Sequence, residues 1–229
     1  MERKFGRLES FDSRSRLYPV RKMVRGLAPV TAYWACSKVL DQGSEGSCVG
    51  HGIAHDLIAI PVPMGWVDHL YALKIYSGAK KVDEWPGEDY EGTSVLAGLK
   101  VTKSLGLCTG WDWSFSHLDT QLGIGHVGPG IAGTSWYTGM VEPDSEGWIH
   151  ATGSNEGGHC YLYNGVNVEQ GYFTIHNSWG PEWGQNGEAK ISFSDYEKLR
   201  SNGGEMAFLV GETDIGGDMP TPPSDKSGG

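Results

Sequence analysis

The sequence lacks features that mark several large classes of protein. No stretch approaches the roughly 18 to 20 consecutive apolar residues that a membrane span requires, and no apolar signal core follows residues 1–7. Cysteine is scarce and widely spaced, so we expect reduced thiols rather than a disulfide framework. The four cysteines are Cys36, Cys48, Cys108 and Cys160. We therefore expect no membrane partner and a cytoplasmic location.

Positive charge is also scarce. The chain has 18 Lys and Arg against 28 Asp and Glu, a formal net charge of −10, and no basic run exceeds two residues. Because nucleic-acid binding needs clustered positive charge that displaces counterions, we expect no nucleic-acid partner. An internal repeat is absent as well, which excludes a solenoid or a propeller.

What remains is a turn-rich sequence with a sizeable core. Its 229 residues are 38% hydrophobic, with 35 glycines and 11 prolines, which fits one ordinary domain or two small lobes sharing a core. Helical spacing of apolar residues predicts three helices, over 47–58, over 67–76, and from the N-cap pair Thr93-Ser94 to just before Gly106.

The second half of the sequence has a different pattern of apolar residues. Short apolar or alternating runs between glycines predict antiparallel strands over 128–137, 159–166, 172–179 and 189–193. The predicted fold class is therefore α+β, with a helical lobe followed by a sheet or partial barrel. The predicted division is an arm (1–32), a helical lobe (33–110), a β lobe (111–211) and a disordered tail (212–229).

A glycine-rich loop over 40–47 delivers Cys48 to the first turn of a predicted helix. Unpaired backbone N–H groups and the helix dipole there favour a thiolate, which is the form of a sulfur nucleophile. Gln42 can offer an amide N–H to the same point, and with the Cys48 N–H it would form an oxyanion hole.

A thiolate needs a proton donor for the leaving group and an oriented partner. His159 begins one predicted strand, and Asn177 ends the next, within a segment rich in tryptophan. If these strands are neighbours, Asn177 can reach His159.

These segments resemble the catalytic segments of papain-like cysteine peptidases. Residues 42–49 match Gln-Gly-x-Cys-Gly-Ser-Cys-Trp, residues 158–160 match Gly/Asp-His-Ala, and residues 177–187 match Asn-Ser-Trp-Gly-x-x-Trp-Gly-x-x-Gly without a gap. His159 and Asn177 follow Cys48 at shorter separations than the about 130 to 150 residues of papain-type enzymes. The resemblance covers residues 33–195.

The resemblance implies a two-lobe fold with its active site in the cleft and a polypeptide as substrate, without metal or cofactor. It implies a thiol hydrolase, most simply an endopeptidase. In the catalytic machinery it implies Cys48 as nucleophile, His159 as its acid/base partner, Asn177 as the residue that orients His159, and Gln42 as oxyanion donor. In the substrate site it implies Trp179, which would also cover the His159–Asn177 hydrogen bond, and Gly92 and Thr93 as contacts for substrate backbone.

Some residues depart from the family's pattern. Glu45 replaces a disulfide cysteine, and Val49 replaces the usual tryptophan, followed by an unusual Gly50-His51-Gly52 segment. Only the arm precedes the domain, so we expect no long inhibitory propeptide. These features resemble compact bacterial or bacteriophage members, acting in the host cytoplasm if phage-encoded. We expect the arm to pack on the β lobe, and the sequence leaves the oligomeric state open.

Alternative interpretations remain open. The same triad could cleave a cell-wall peptide or an isopeptide bond, since residues 49–52 suggest altered cleft walls. The chain could also be a non-catalytic binding module. Cys48, His51 and His55 have zinc-like spacing, but a fourth ligand is lacking, and we favour structural histidines. Cys36, Cys108 and Cys160 are interpreted as packed thiols.

Overall fold

A computed structural model describes residues 3–215, which form five α-helices and eight β-strands. The helices are α1 (Cys48–Leu57), α2 (His69–Val82), α3 (Val95–Ser104), α4 (His117–His126) and α5 (Phe193–Ser201). The strands are β1 (Ala32–Tyr33), β2 (Gly110–Trp113), β3 (Gly130–Tyr137), β4 (Trp148–Ile149), β5 (Asn155–Asn167), β6 (Tyr172–His176), β7 (Glu188–Ser192) and β8 (Glu205–Val210). None of the helices within this part of the chain is both long and apolar enough to cross a membrane.

One sheet organises the strands in the order β2-β8-β3-β5-β6-β7-β4, with β1 paired to β5. All pairs are antiparallel except β4 with β7. The β5–β6 register sets Leu162 opposite His176. Asn177, the next residue, therefore falls near the stretch of β5 that carries His159, because alternate residues of a strand share a face.

Hydrophobic cores lie on both faces of this sheet. One contains α1 to α3 together with Ile131, Cys160 and Leu162 of the sheet. The other lies on the opposite face and contains Ala132 together with large aromatic residues, among them Tyr161. The predicted α+β class with a helical lobe and a β lobe is confirmed.

Two of the three predicted helices agree closely with the structure. α1 and α3 lie where the apolar spacing indicated, and the Ser94 side chain caps α3 by accepting from the Ala97 N–H. The predicted end of α2 at residue 76 is wrong. The helix continues to Val82 because Gly78 and Ala79 are buried in it, so packing offsets the low helix propensity of glycine.

The helices α4 and α5 and the strands β2 and β8 were not predicted. α4 has two glycines and few apolar residues, so its helical periodicity is weak. Its N-cap Ser116 accepts from the Asp119 N–H, and Ser192 caps α5 in the same way through Asp195. These serine caps are the sequence signals that would have identified both helices.

The arm packs on the β lobe, as expected, and its first residues also contact the helical lobe. The segment around Gly6 runs extended between Thr93 of the helical lobe and Gly158 of the sheet. The arm reaches β2 later, where Pro19 pairs with Trp113. Of the predicted tail, residues 216–229 lie outside the described residues.

Candidate active site

Cys48 is the first residue of α1 and is completely buried. Burial raises the pKa of its thiol to about 11. The nearby backbone of Cys160, Gly6 and Val49 lowers that pKa, but by less than burial raises it. The expectation of a thiolate at this helix terminus is therefore wrong for the closed structure. Desolvation outweighs the helix terminus because Gly6 and its neighbours exclude water from the sulfur.

His159 and Asn177 are in contact, as the adjacent strands require. The distance from His159 Nε2 to Asn177 Oδ1 is 2.8 Å, and the same oxygen accepts from the Ser178 N–H. With Nε2 donating, the other ring nitrogen carries a lone pair. His159 Nδ1 is buried and has no hydrogen-bond partner within residues 3–215. Burial lowers the pKa of His159 to about 4, so the ring is neutral in the closed structure.

The backbone of β5 brings Cys48 and His159 together. The backbone of Cys160, the residue after His159, lies close enough to the Cys48 sulfur to lower the pKa of that thiol. The Cys160 side chain packs against α1, where the nearest position is Gly52. His159 and Cys160 lie in the part of the chain where β5 packs against α1, and Cys160 lies on the packed side, as predicted from strand alternation.

Aromatic rings enclose the imidazole of His159. The ring centroid of Trp179 lies 5.2 Å from that of His159, and Trp136 lies 4.8 Å away with its plane at 76°. Trp179 is 2% exposed and covers the His159–Asn177 pair. The roles of Trp136 and of Phe5 in the arm, at 5.8 Å, were missed. The pairing of β3 with β5 brings Trp136 beside His159, and no local sequence pattern indicates that pairing.

Gln42 is fixed on both sides of its amide. Its Oε1 accepts from the Ser178 hydroxyl at 2.7 Å, and its Nε2 donates to the Glu45 carbonyl at 2.8 Å. Nε2 also donates to the Lys4 carbonyl of the arm at 3.2 Å. One N–H of the amide is therefore directed toward the arm, which suits the predicted role as an oxyanion donor. In this structure the Lys4 carbonyl accepts that hydrogen bond.

The arm runs past Cys48 and contacts both the helical lobe and the sheet. Backbone hydrogen bonds hold the arm on both sides. On the helical lobe, Thr93 N–H donates to the Gly6 carbonyl (2.8 Å) and Leu8 N–H donates to the Thr93 carbonyl (2.9 Å). On the sheet, Arg7 N–H donates to the Gly158 carbonyl (2.9 Å). Gly92 and Thr93, predicted to contact substrate backbone, contact arm backbone here.

The arm backbone lies so close to the surrounding backbone that a side chain would not fit at several glycines. A Cβ on Gly6 would lie 1.8 Å from the Gly46 carbonyl oxygen, and one on Gly92 would lie 2.4 Å from the Gly6 carbonyl oxygen. On Gly158 it would lie 2.1 Å from the Arg7 carbonyl oxygen. We call Gly46, Gly92 and Gly158 the glycine slot. The arm passes through it because residue 6 is itself a glycine and has no side chain.

The two histidines of α1 have protein partners. His51 Nδ1 lies 3.0 Å from the Ser47 carbonyl, its Nε2 lies 3.0 Å from His69 Nδ1, and His55 Nε2 accepts from the Leu40 N–H. Burial lowers the pKa of His51 to about 4 and holds the pKa of His55 well below its usual value. These contacts agree with structural histidines. Within residues 3–215, no three His, Cys, Asp or Glu side chains are grouped to hold a metal ion.

Residues 49–52 lie in helix packing rather than in the cleft wall. A Cβ on Gly50 would lie 2.1 Å from the Ala72 carbonyl of α2, and one on Gly52 would lie 2.8 Å from Cys160 Sγ. Val49 is fully buried. The inference that this segment alters the cleft is wrong, because its small residues serve the close approach of α1 to α2 and β5. The main support for a specialised cell-wall substrate is thereby removed.

Comparison with known proteins gives the fold. No family model matches the sequence. The chain is similar to xylellain, a cysteine protease from Xylella fastidiosa, at 19% identity and a TM-score of 0.68, over 93% of this chain and 99% of that one. It is similar to procathepsin B S9 from Trypanosoma congolense at 14% identity and a TM-score of 0.63, over 91% and 87% of the two chains.

A third likeness is to digestive procathepsin L 3 of Tenebrio molitor larval midgut, at 14% identity and a TM-score of 0.59, over 82% of this chain and 72% of that one. At these identities the likeness shows a common fold. The papain-like two-lobe fold expected from the resemblance is confirmed.

Proposed function

We propose that the chain is a papain-like cysteine endopeptidase that uses Cys48, His159 and Asn177. One observation carries this proposal: an extended peptide, the chain's own arm, lies across Cys48 with its backbone hydrogen-bonded to Thr93 and Gly158. A cleft that binds peptide backbone over a cysteine beside a histidine–amide pair suits attack on a peptide bond.

The reaction follows from the groups around the sulfur. His159 takes the Cys48 proton at Nδ1, the nitrogen without a partner, while Asn177 holds Nε2. The thiolate attacks the carbonyl carbon, and the oxyanion is stabilised by Gln42 Nε2 and the Cys48 N–H. His159 protonates the departing amine, and water then hydrolyses the acyl-enzyme with His159 as base.

Access to Cys48 requires the arm to leave. Departure of the arm takes the Gly6 backbone away from Cys48 and Phe5 away from His159, and contact with water then opposes the desolvation that shifts both pKa values. The imidazolium–thiolate pair then becomes accessible. Four free cysteines suit a reducing compartment such as the cytoplasm, and the substrate is a polypeptide.

The test uses a full-length variant in which the arm no longer fits. In the double variant Gly6→Ala/Arg7→Ala, the new methyl group collides with the Gly46 carbonyl and the Arg7 ion pair is lost. We call this the arm-released variant. It should digest casein at least about tenfold faster than the wild type, since each tenfold step requires only about 1.4 kcal/mol.

The control is the arm-released variant that also carries Cys48→Ala, which should be inactive. Equal digestion with and without Cys48 contradicts the proposal. Purified bacterial cell wall, digested in parallel, separates the alternatives: activity confined to cell wall indicates the specialised substrate. No activity on either substrate, with a slowly reacting thiol, indicates a binding module.

A further inference from the structure

A second polar cluster lies behind the candidate site, on the face of the sheet that α1 covers. His176 is the last residue of β6, directly before Asn177, and is paired with Glu188 of β7. Its Nδ1 donates to Glu188 Oε1 at 3.2 Å, and only 2% of His176 is exposed. Because alternate residues of a strand face opposite ways, His176 faces α1 while Asn177 faces His159.

One oxygen of Glu188 ties three other strands to β7. Besides His176 of β6, Oε1 accepts from Asn164 Nδ2 of β5 at 2.6 Å and from the Tyr33 hydroxyl of β1 at 2.8 Å. Asn164 is fully buried, and the β5–β6 register shifts at its position, so a bulge directs its side chain toward β7. Burial raises the pKa of the Glu188 carboxyl, but the three hydrogen bonds together hold it below its usual value. Glu188 is therefore a carboxylate at neutral pH.

The same cluster contacts the helix that carries the nucleophile. His55 lies about two helical turns after Cys48, so the two residues share a face of α1. The His55 ring meets the His176 ring edge-on, with ring centroids 4.4 Å apart and planes at 77°. His176 therefore contacts the helix of Cys48 with its side chain and continues along the backbone into Asn177.

Backbone contacts carry the position of Glu188 to the amide beside His159. The Asn177 N–H donates to the carbonyl of Gly187, the residue before Glu188, at 2.8 Å. Residues 187 and 188 thus hold residues 176 and 177, one pair through side chains and the other through the backbone. Asn177 Oδ1 lies 2.8 Å from His159 Nε2. A change at Glu188 that moves the end of β6 therefore also moves the group that orients the imidazole.

A buried polar cluster of this kind is better suited to fixing geometry than to adding stability, since apolar residues of similar volume often stabilise a protein at least as well. We propose that Glu188 and His176 are positioning residues for the peptidase reaction, because they fix the end of β6 from which Asn177 orients His159. This inference rests on the proposed function, since it adds two residues to the same site. Both residues act through Asn177 rather than on the reacting atoms.

The first test follows the His159–Asn177 hydrogen bond without any chemistry. Full-length protein is labelled with nitrogen-15 at its histidines, and NMR measures how fast the proton on His159 Nε2 exchanges with water; His159→Gln identifies the signal. Glu188→Leu removes the acceptor and should increase that exchange rate roughly tenfold or more, because the end of β6 opens more often. Glu188→Gln keeps an acceptor oxygen and should stay within about threefold of the wild type. The matched control is Glu169→Leu, at an exposed carboxylate in the β5–β6 turn, which should have no effect.

The second test measures the reaction in the arm-released variant. Adding Glu188→Leu should lower kcat roughly tenfold with KM nearly unchanged, since displacing a catalytic group by about 1 Å can cost up to about 10²-fold. Glu188→Gln should retain most of kcat. In the presence of Asn177→Ala, Glu188→Leu should lower kcat by no more than about twofold, because the amide through which Glu188 acts is already absent.

Further variants keep the test independent of folding. Urea unfolding of each variant separates loss of folded protein from loss of kcat. If Glu188→Leu does not fold, Glu188→Asp replaces it, because it keeps the charge but withdraws the carboxylate from His176 by one methylene; smaller changes in the same direction are expected. His176→Leu should act like Glu188→Leu, whereas His176→Asn, whose amide N–H can replace Nδ1–H, should retain kcat.

The outcomes separate this inference from the proposed function. Unchanged exchange of the His159 proton in Glu188→Leu and Glu188→Asp overturns the positioning role whatever the activity. So does a loss of kcat that is equally large with and without Asn177, or a loss of stability that leaves kcat unchanged. Faster exchange without any hydrolysis that depends on Cys48 supports the positioning of His159 by Glu188 and contradicts the peptidase alone.

Discussion

At the scale of single residues, the arrangement of His159 depends on one amide. Asn177 Oδ1 holds Nε2 at 2.8 Å and is itself fixed by the Ser178 N–H. The oxygen selects the tautomer in which Nδ1 is available to the thiol. The ring orientation is therefore set by the end of β6 rather than by the loop around Cys48.

Replacing Asn177 tests this positioning. In the arm-released variant, Asn177→Ala should reduce kcat/KM by a factor on the order of 10², because a misoriented imidazole loses part of its acid/base contribution. The loss should fall on kcat more than on KM, as measured on a peptide substrate. The matched control is Asn167→Ala, at the far end of β5, which should retain activity. An unchanged kcat for Asn177→Ala would show that the amide has no positioning role.

The residues of the candidate site differ in how well the sequence predicts them. Cys48, His159 and Asn177 stand in short local motifs, so the sequence alone indicated them. Gly133 and Glu205 come together only through the pairing of β3 with β8, and no local sequence pattern predicts such a contact. The closed, neutral state of Cys48 was also unpredictable, because it depends on where the arm folds.

At the scale of elements, α1 is unusual because two of its glycines lie at tight contacts. The space at Gly50 is closed by the Ala72 carbonyl at 2.1 Å, a backbone atom that cannot move aside cheaply. Helix propensity alone disfavours glycine there, so its presence indicates close packing of α1 against α2.

Gly50→Ala should therefore destabilise the fold despite its better helix propensity. We expect a loss of about 1–3 kcal/mol, typical of an overpacked core, measured as the shift of the urea unfolding midpoint. Gly65→Ala is the matched control, since a Cβ at Gly65 meets no atom within 4 Å and the residue has no positive φ. Stabilisation by Gly50→Ala would contradict the packing of α1 described here.

His51 gives α1 a measurable pH dependence. Desolvation lowers its folded-state pKa to about 4 from the usual histidine value of about 6.5. Between these values the unfolded chain binds a proton that the folded protein does not, so this contribution to stability falls as the pH falls from about 6.5 to about 4.

The test compares the wild type with His51→Gln by urea unfolding from pH 4 to 7. The substitution should reduce the slope of stability against pH by up to about 1.4 kcal/mol per pH unit in that window. Burial raises the pKa of the carboxyl groups of Asp56 and Glu212, which acts in the opposite direction but is common to both proteins. The exposed His150 provides the control substitution, His150→Gln. Identical slopes for the wild type and His51→Gln would contradict the neutral, buried state of His51.

Sequence periodicity predicted the elements unevenly. α1 and α3 carry strong apolar spacing and recognisable caps, and their bounds were predicted well. α4 and α5 were missed because glycine and polar residues weaken their periodicity, while tertiary contacts and serine caps stabilise them. The sheet order, with β8 inserted between β2 and β3, depends on long-range pairing that no local pattern carries.

At the scale of the whole molecule, the net charge of −10 conceals an uneven distribution. Acidic groups line the path of the arm, and the arm brings Arg3, Lys4 and Arg7 to them. The exposed pairs are screened by salt, whereas the buried Arg7–Glu205 pair is screened much less. The composition alone did not indicate that Asp41, Glu91 and Glu205 would lie along the arm.

The central claim is that Cys48 is a nucleophile paired with His159 and covered by the arm. Alkylation by iodoacetamide, mapped by peptide mass spectrometry from pH 4 to 9, tests it directly. In the wild type, Cys48 should react slowly at pH 7, since burial raises the pKa of its thiol to about 11.

In the arm-released variant, Cys48 should react well below the reference thiol pKa of about 8.5 and faster than Cys36 and Cys108. Adding His159→Ala should remove that reactivity at low pH. If Cys48 of the arm-released variant reacts no faster than Cys36 and Cys108, or if its reactivity is unchanged by His159→Ala, the account of this site is contradicted.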